Sequence, residues 1–193
     1  MIFVSFLLEG GDIMYYKKIE GKRVYLSPMC VDDAPKYVKW MNDFKVTDGL
    51  NGSKNLVTLE SEREWIERNN RDGNFQFAIV KQENNELIGN CGFNELDTVN
   101  RKATVGIFIG EEENRNKGYG TEVLELLIGY GFDYLNLNNI MLAVYSFNEG
   151  AIGCYKKVGF KEIGRRRETY NIKNKRYDTI YMDILRSEFY EKN

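Results

Sequence analysis

Histidine is absent from this 193-residue sequence, which carries only three cysteines and a net charge of just -2. The missing imidazole removes the usual general base, the commonest metal ligand and every serine or cysteine triad built on it. Chemistry must then run through carboxylates, tyrosine, backbone groups or water, and no metal is expected. Cys30, Cys91 and Cys154 are odd in number, far apart and free of CxxC spacing. Neither a disulfide framework nor a zinc site is indicated, and a reducing, cytoplasmic setting is expected. The charge balance argues against general nucleic-acid affinity. The only tight basic run, Arg165 to Arg167, reads first as a solvated strand end, with a minor role toward a substrate or cofactor phosphate left open. The apolar run Ile2 to Leu8 is too short to span a membrane, and it lacks the flanking basic and small residues of a signal peptide.

What is present is an ordinary globular composition, 42% hydrophobic and 29% charged. The length fits one domain with a substantial core. Glu9, Gly10, Gly11 and Asp12 can be encoded by a purine-rich bacterial ribosome-binding sequence just ahead of Met14. Residues 1–13 are therefore expected to be a non-native extension, with Met14 the native start and residues 14–193 the domain.

Lys22 to Ser27 alternates as a strand before Pro28. Asp32 and Asp33 then precede a helical pattern through Met41, and Thr58 caps a second helix ending near Gly73. Phe75 to Val80, Leu87 to Phe93 and Ala103 to Ile109 form an antiparallel meander, with turns at Glu83 to Asn85 and Asp97 to Asn100. Val123, Leu124, Leu127, Ile128, Phe132 and Leu135 recur as the stripe of a helix lying on a sheet. Ile140 to Val144 is the next strand, Asn148 caps a short helix ended by Gly159, and Phe160 to Glu168 with Arg176 to Leu185 make a closing hairpin.

The most informative stretch is Arg115-Asn116-Lys117-Gly118-Tyr119-Gly120-Thr121, between a strand and a helix. Its glycines let the backbone approach a ligand closely, and the first-turn N–H groups and helix dipole attract an anion such as a pyrophosphate. Taken alone, a glycine pair before a helix is as often only a turn. A Walker loop needs Gly-Lys-Ser/Thr in succession, but Lys117 lies ahead of both glycines. A Rossmann fingerprint needs a small residue at position 123, where Val123 stands, and a setting of parallel crossovers.

The order resembles the GCN5-related N-acetyltransferase (GNAT) superfamily, whose signature is Gln or Arg, two residues, Gly, one residue, then Gly or Ala. Arg115, Gly118 and Gly120 match it. Asn148, Ala151, Tyr155, Lys156, Gly159 and Phe160 reproduce the family's next motif one strand and one helix later. Trp40 to Asp43 and Gly120 to Glu122 are similar to the ribosomal-protein and polyamine acetyltransferase branch. The resemblance implies an α/β (α+β) fold with a mixed, mostly antiparallel sheet of about seven strands flanked by helices, and an acetyl-CoA site at a splayed strand pair.

The resemblance further implies that residues Arg115, Asn116, Lys117, Gly118, Tyr119, Gly120 and Thr121 hold the pyrophosphate of acetyl-CoA, and that Ile107, Phe108 and Ile109 pair with pantetheine. Tyr155 is then the general acid toward the departing thiolate, and Asn148 orients cofactor or helix. Glu95, Asp97 and Glu168 are candidates to accept the amine's proton, with Glu95 ranked first. The expected reaction is transfer of an acetyl group to a primary amine by direct attack. The acceptor is left open among a protein N-terminus, a polyamine, an amino sugar or nucleotide sugar, and an aminoglycoside. A noncatalytic CoA-binding or regulatory module is the competing reading. Arg176 to Leu185 could end the sheet or pair with a second copy in a homodimer.

Overall fold

The computed structural model describes residues 15–50 and 52–192. The expectation about residues 1–13 and Met14 lies outside these. Among the described residues eight strands form one sheet in the order β1-β2-β3-β4-β5-β6-β8-β7. They are β1 (Ile19–Glu20), β2 (Val24–Pro28), β3 (Gln76–Lys81), β4 (Leu87–Asp97), β5 (Lys102–Ile109), β6 (Asn139–Tyr145), β7 (Lys161–Ile172) and β8 (Lys175–Leu185). All neighbours are antiparallel except β5 and β6. The sequence pattern counts about seven strands, because two-residue β1 is too short to show an alternation.

Among the described residues six α-helices accompany the sheet: α1 (Ala34–Met41), α2 (Phe44–Thr47), α3 (Leu59–Arg71), α4 (Tyr119–Asp133), α5 (Glu149–Val158) and α6 (Arg186–Lys192). Among the described residues, no helix is long and apolar enough to cross a membrane. The strand alternation divides the core in two. Phe77, Ile79, Val105, Ile140 and Val144 face α4 and α5, where Leu124, Leu127 and Ile128 are fully buried. Ala78, Val80 and Leu87 face α1 and α3, where Tyr37, Trp40 and Ile66 are buried.

Local signals set the helix boundaries. The Thr58 hydroxyl accepts the Ser61 N–H at 3.2 Å while the Ser61 hydroxyl accepts the Thr58 N–H at 3.1 Å, a reciprocal cap that starts α3. The Asp43 carboxylate accepts the Lys45 N–H at 2.9 Å and starts α2, a single turn too short to leave a periodic pattern. Asn148 caps α5 by accepting the Ala151 N–H at 3.2 Å. Gly159, at φ 121°, ends α5 in a backbone conformation that side chains disfavour.

The expectation that Arg176 to Leu185 ends the sheet or pairs with a second copy is corrected by the strand order. β8 is held between β6 and β7, with ladders on both sides, and the sheet's last edge is β7.

Candidate active site

β5 and β6 run side by side only from Lys102–Asn139 to Thr104–Met141. Beyond this β5 stays with β4 as far as Ile109, while β6 stays with β8 as far as Tyr145. The strands therefore splay, and their facing edges line a cleft of about 1120 Å³. Hydrogen-bonded and non-hydrogen-bonded pairs alternate along the β4–β5 ladder. Gly110 N–H bonds the Ile88 carbonyl at 2.9 Å, which makes Phe108–Asn90 a hydrogen-bonded pair and turns the backbone groups of Ile107 and Ile109 toward the cleft.

Of Ile107, Phe108 and Ile109, the first and last thus turn backbone groups toward the cleft, where the Ile109 carbonyl accepts from Arg115 Nε at 3.0 Å. Phe108 gives its backbone to β4, and its ring packs edge-on against Trp40 (5.8 Å) and Tyr37 (6.4 Å).

The glycine loop closes one end of the cleft. Asn116 (φ 58°) and Gly118 (φ 83°, ψ 0°) are left-handed, and Gly118 serves as N-cap of α4 without any side-chain cap. Among the described residues, no protein acceptor takes the N–H groups of residues 116–121. Six successive donors at the positive end of a 15-residue helix make a preformed anion cradle. A Cβ on Gly120 would lie 3.5 Å from Cys154 Sγ, so the helix start sits directly on α5.

Neighbouring side chains hold the cradle from behind. Arg115 donates Nε to the Ile109 carbonyl at 3.0 Å, Nη2 to the Gly110 carbonyl at 2.7 Å and Nη1 to the Lys45 carbonyl at 3.2 Å. Its guanidinium therefore ties the loop to the end of β5 and to α2. On the opposite side Arg23 donates to the Lys117 carbonyl at 2.8 Å, pairs with Glu122 at 2.9 Å and stacks over the Tyr119 ring at 4.9 Å. Burial pushes the Glu122 carboxyl up, but hydrogen bonds from the Arg23 and Val24 N–H groups and the Arg23 guanidinium outweigh it and hold the carboxyl below its ordinary value. Lys117 and Tyr119 contribute backbone to the loop, and their side chains do not line the cleft.

α5 supplies the facing wall. Tyr155 lines the cleft, half-buried, with its ring edge-on to Phe160 at 6.0 Å. Burial, reinforced by Cys154, pushes its phenol well above the ordinary tyrosine value, so it stays protonated through neutral and mildly alkaline pH. Burial also raises the Cys154 thiol against an opposing hydrogen bond from Thr121, at 3.4 Å. A protonated thiol is a poor nucleophile, which suits direct attack. Asn148 sits on the rim; its amide nitrogen would lie 3.2 Å from a Cβ on Gly49.

The structure does not bring Glu95 to this wall. Glu95 is exposed, with φ 49°, in an irregularity of the β4–β5 ladder between Asn94 and Asp97, at the end where β5 and β6 are still paired. Asp97 is occupied by the Asn100 amide and backbone in a turn. Glu168 pairs with Arg176 at 3.1 Å on the hairpin, and Arg165 pairs with Glu162 and Asp178 at 3.3 Å each. None of these lines the cleft.

Asp48, which the sequence offers with Asp43 and Glu60 to Glu64 as an acidic hint of a cationic acceptor, does line the cleft, and so do Tyr145 and Phe147, which the sequence reading missed. The signal for Tyr145 was the alternation of β6 itself, which puts it on the face opposite Ile140, Leu142 and Val144. The reading also missed Asn114, only 1% exposed at the rim, whose side-chain oxygen and nitrogen find no partner among the described residues.

Comparison with known proteins agrees with this geometry. Residues 23–161 match the family described as acetyltransferase (GNAT) domain. An uncharacterized N-acetyltransferase of Bacillus licheniformis, p20, is 29% identical over 177 residues, covering 87% of this chain and 96% of that protein. The SPbeta prophage-derived uncharacterized N-acetyltransferase YokL of Bacillus subtilis is 30% identical over 128 residues, covering 66% of this chain and 71% of its own length. Among solved structures, the fold is similar to spermidine N-acetyltransferase from Vibrio cholerae in complex with CoA and spermine. That likeness has a TM-score of 0.79 at 23% identity and covers 87% of this chain and 98% of that one. The protein belongs to the acetyltransferase (GNAT) domain family and is an N-acetyltransferase.

Proposed function

We propose that the protein transfers the acetyl group of acetyl-CoA to a primary amine by direct attack, without a covalent enzyme intermediate. One observation carries this reading: a run of unclaimed amides leads into α4, and four of its residues, Asn116, Gly118, Gly120 and Thr121, line the cleft where β5 and β6 part, opposite a protonated tyrosine. In this scheme the N–H groups of residues 116–121 hold the pyrophosphate, and the cleft-facing backbone of Ile107 and Ile109 pairs with pantetheine. An N–H of the same strand edge donates to the thioester carbonyl oxygen, where preorganised donors act on the charge that develops during attack.

The amine nitrogen, in its neutral form, attacks the thioester carbon; the C–S bond then breaks, and the phenol of Tyr155 gives its proton to the thiolate. The proton left on the new amide nitrogen returns through water to the tyrosinate, so the enzyme ends as it began. An acceptor that arrives as ammonium loses its first proton to solvent at the open cleft.

The test is Tyr155→Phe, which keeps the ring and removes the proton. Turnover should fall by roughly 10²–10⁴-fold, the usual contribution of a positioned general acid, with calorimetric CoA affinity unchanged. Wild-type turnover in that variant would remove Tyr155 from the chemistry.

A further inference from the structure

The half of the cleft facing away from α4 and α5 is built from aromatic rings. Tyr145 and Tyr170 stack with centroids 3.8 Å apart and planes 9° from parallel. Phe147 lies 5.9 Å from Tyr145, nearly parallel to it, and 4.8 Å from Tyr177. Tyr145 and Phe147 line the cleft, and Tyr170 backs the Tyr145 ring, so the cleft has an aromatic wall on this side. The segment after α2 closes over this wall. The Ser53 hydroxyl donates to Asp48 Oδ1 at 2.7 Å and lies 3.3 Å from the Tyr170 hydroxyl, which places the Asp48 carboxylate on the cleft beside the rings.

Aromatic faces beside a carboxylate attract positive charge. The nitrogen that reacts cannot be the charge they hold, since stabilising it as ammonium would remove its lone pair. We propose that Asp48 and the Tyr145–Phe147 faces bind a second, non-reacting cationic centre of the acceptor, so that the preferred substrates are small aliphatic di- or polyamines. This rests on the acetyl-CoA reading above and names the acceptor class for the same cleft.

The test measures thiol release from acetyl-CoA with 1,4-diaminobutane and with butylamine, which differ by one amino group. The diamine should have at least about tenfold higher kcat/KM, equivalent to about 1.4 kcal/mol of discrimination. Asp48→Asn should raise KM for the diamine by about tenfold, with kcat and butylamine turnover retained. Tyr145→Leu should act in the same direction, and Tyr145→Phe, which keeps the ring face, should restore the wild-type KM. Equal use of the two amines, equal loss of both in Asp48→Asn, or preference for a peptide α-amine or a nucleotide-bearing amine would overturn the proposal. Absence of both CoA binding and thiol release with every amine would instead sink the acetyl-CoA reading itself.

Discussion

Replacing Gly118 with alanine tests how the cradle is made. At φ 83° and ψ 0° Gly118 occupies the left-handed region, which costs an ordinary side chain roughly 1–2 kcal/mol. The new Cβ would also lie 3.2 Å from the Arg23 guanidinium, whose position is fixed by the Lys117 carbonyl and Glu122. The variant has two ways to absorb this. If the loop keeps its shape, the strain is carried by the folded state, and Tm falls by roughly 2–8 °C for a chain of this size. If the loop relaxes, stability recovers, but CoA must restore the strained geometry on binding, and its Kd rises roughly 5–30-fold. The losses from thermal unfolding and from calorimetry should together amount to about 1–2 kcal/mol. Gly118→Asn should lose less on both counts, because asparagine tolerates this backbone region. A Gly118→Ala protein with unchanged Tm and unchanged CoA affinity would refute the claim that this backbone conformation builds the site.

Two further outcomes follow from the side chains. Glu95→Gln should leave turnover and its pH profile at wild-type values in a thiol-release assay, since Glu95 is exposed outside the cleft; a lost activity limb would return it to the mechanism. Burial raises the phenols of Tyr15, Tyr37 and Tyr155 above the ordinary value, with Asp33 adding to the first two. The unfolded phenols ionise near pH 10 while the folded ones keep their protons, so the unfolded state binds fewer protons there. The contribution of these tyrosines to stability should be constant below about pH 10 and fall above it, which thermal melts across that alkaline range can check; a Tm that stays flat or rises above pH 10 would contradict the burial of these rings.

The features legible in the sequence were those with a local cause. The strand Ala103 to Ile109, the glycine turn and the apolar stripe of α4 each follow from neighbours within one or two turns. So does the Asn148 cap, which needs only the Ala151 N–H three residues on. What could not be read depends on partners distant in the chain. Nothing near Arg115 reveals that its guanidinium turns back onto the carbonyls of Ile109, Gly110 and Lys45. The position of Glu95 depends on an irregular ladder register, and that of β8 on the long hairpin folding β7 to the outside. The aromatic side of the cleft is closed by residues 117 positions apart, Ser53 and Tyr170, which no local pattern brings together. Alternation assigns a residue to a face of the sheet; the strand order decides what that face meets.

The central claim, that the backbone of residues 116–121 grips the pyrophosphate of CoA, can be observed amide by amide in ¹H–¹⁵N NMR spectra of the wild-type protein titrated with CoA. These six N–H resonances should show the largest downfield shifts and gain protection from exchange. Shifts confined to other parts of the chain, with these six unmoved at saturation, would contradict the account.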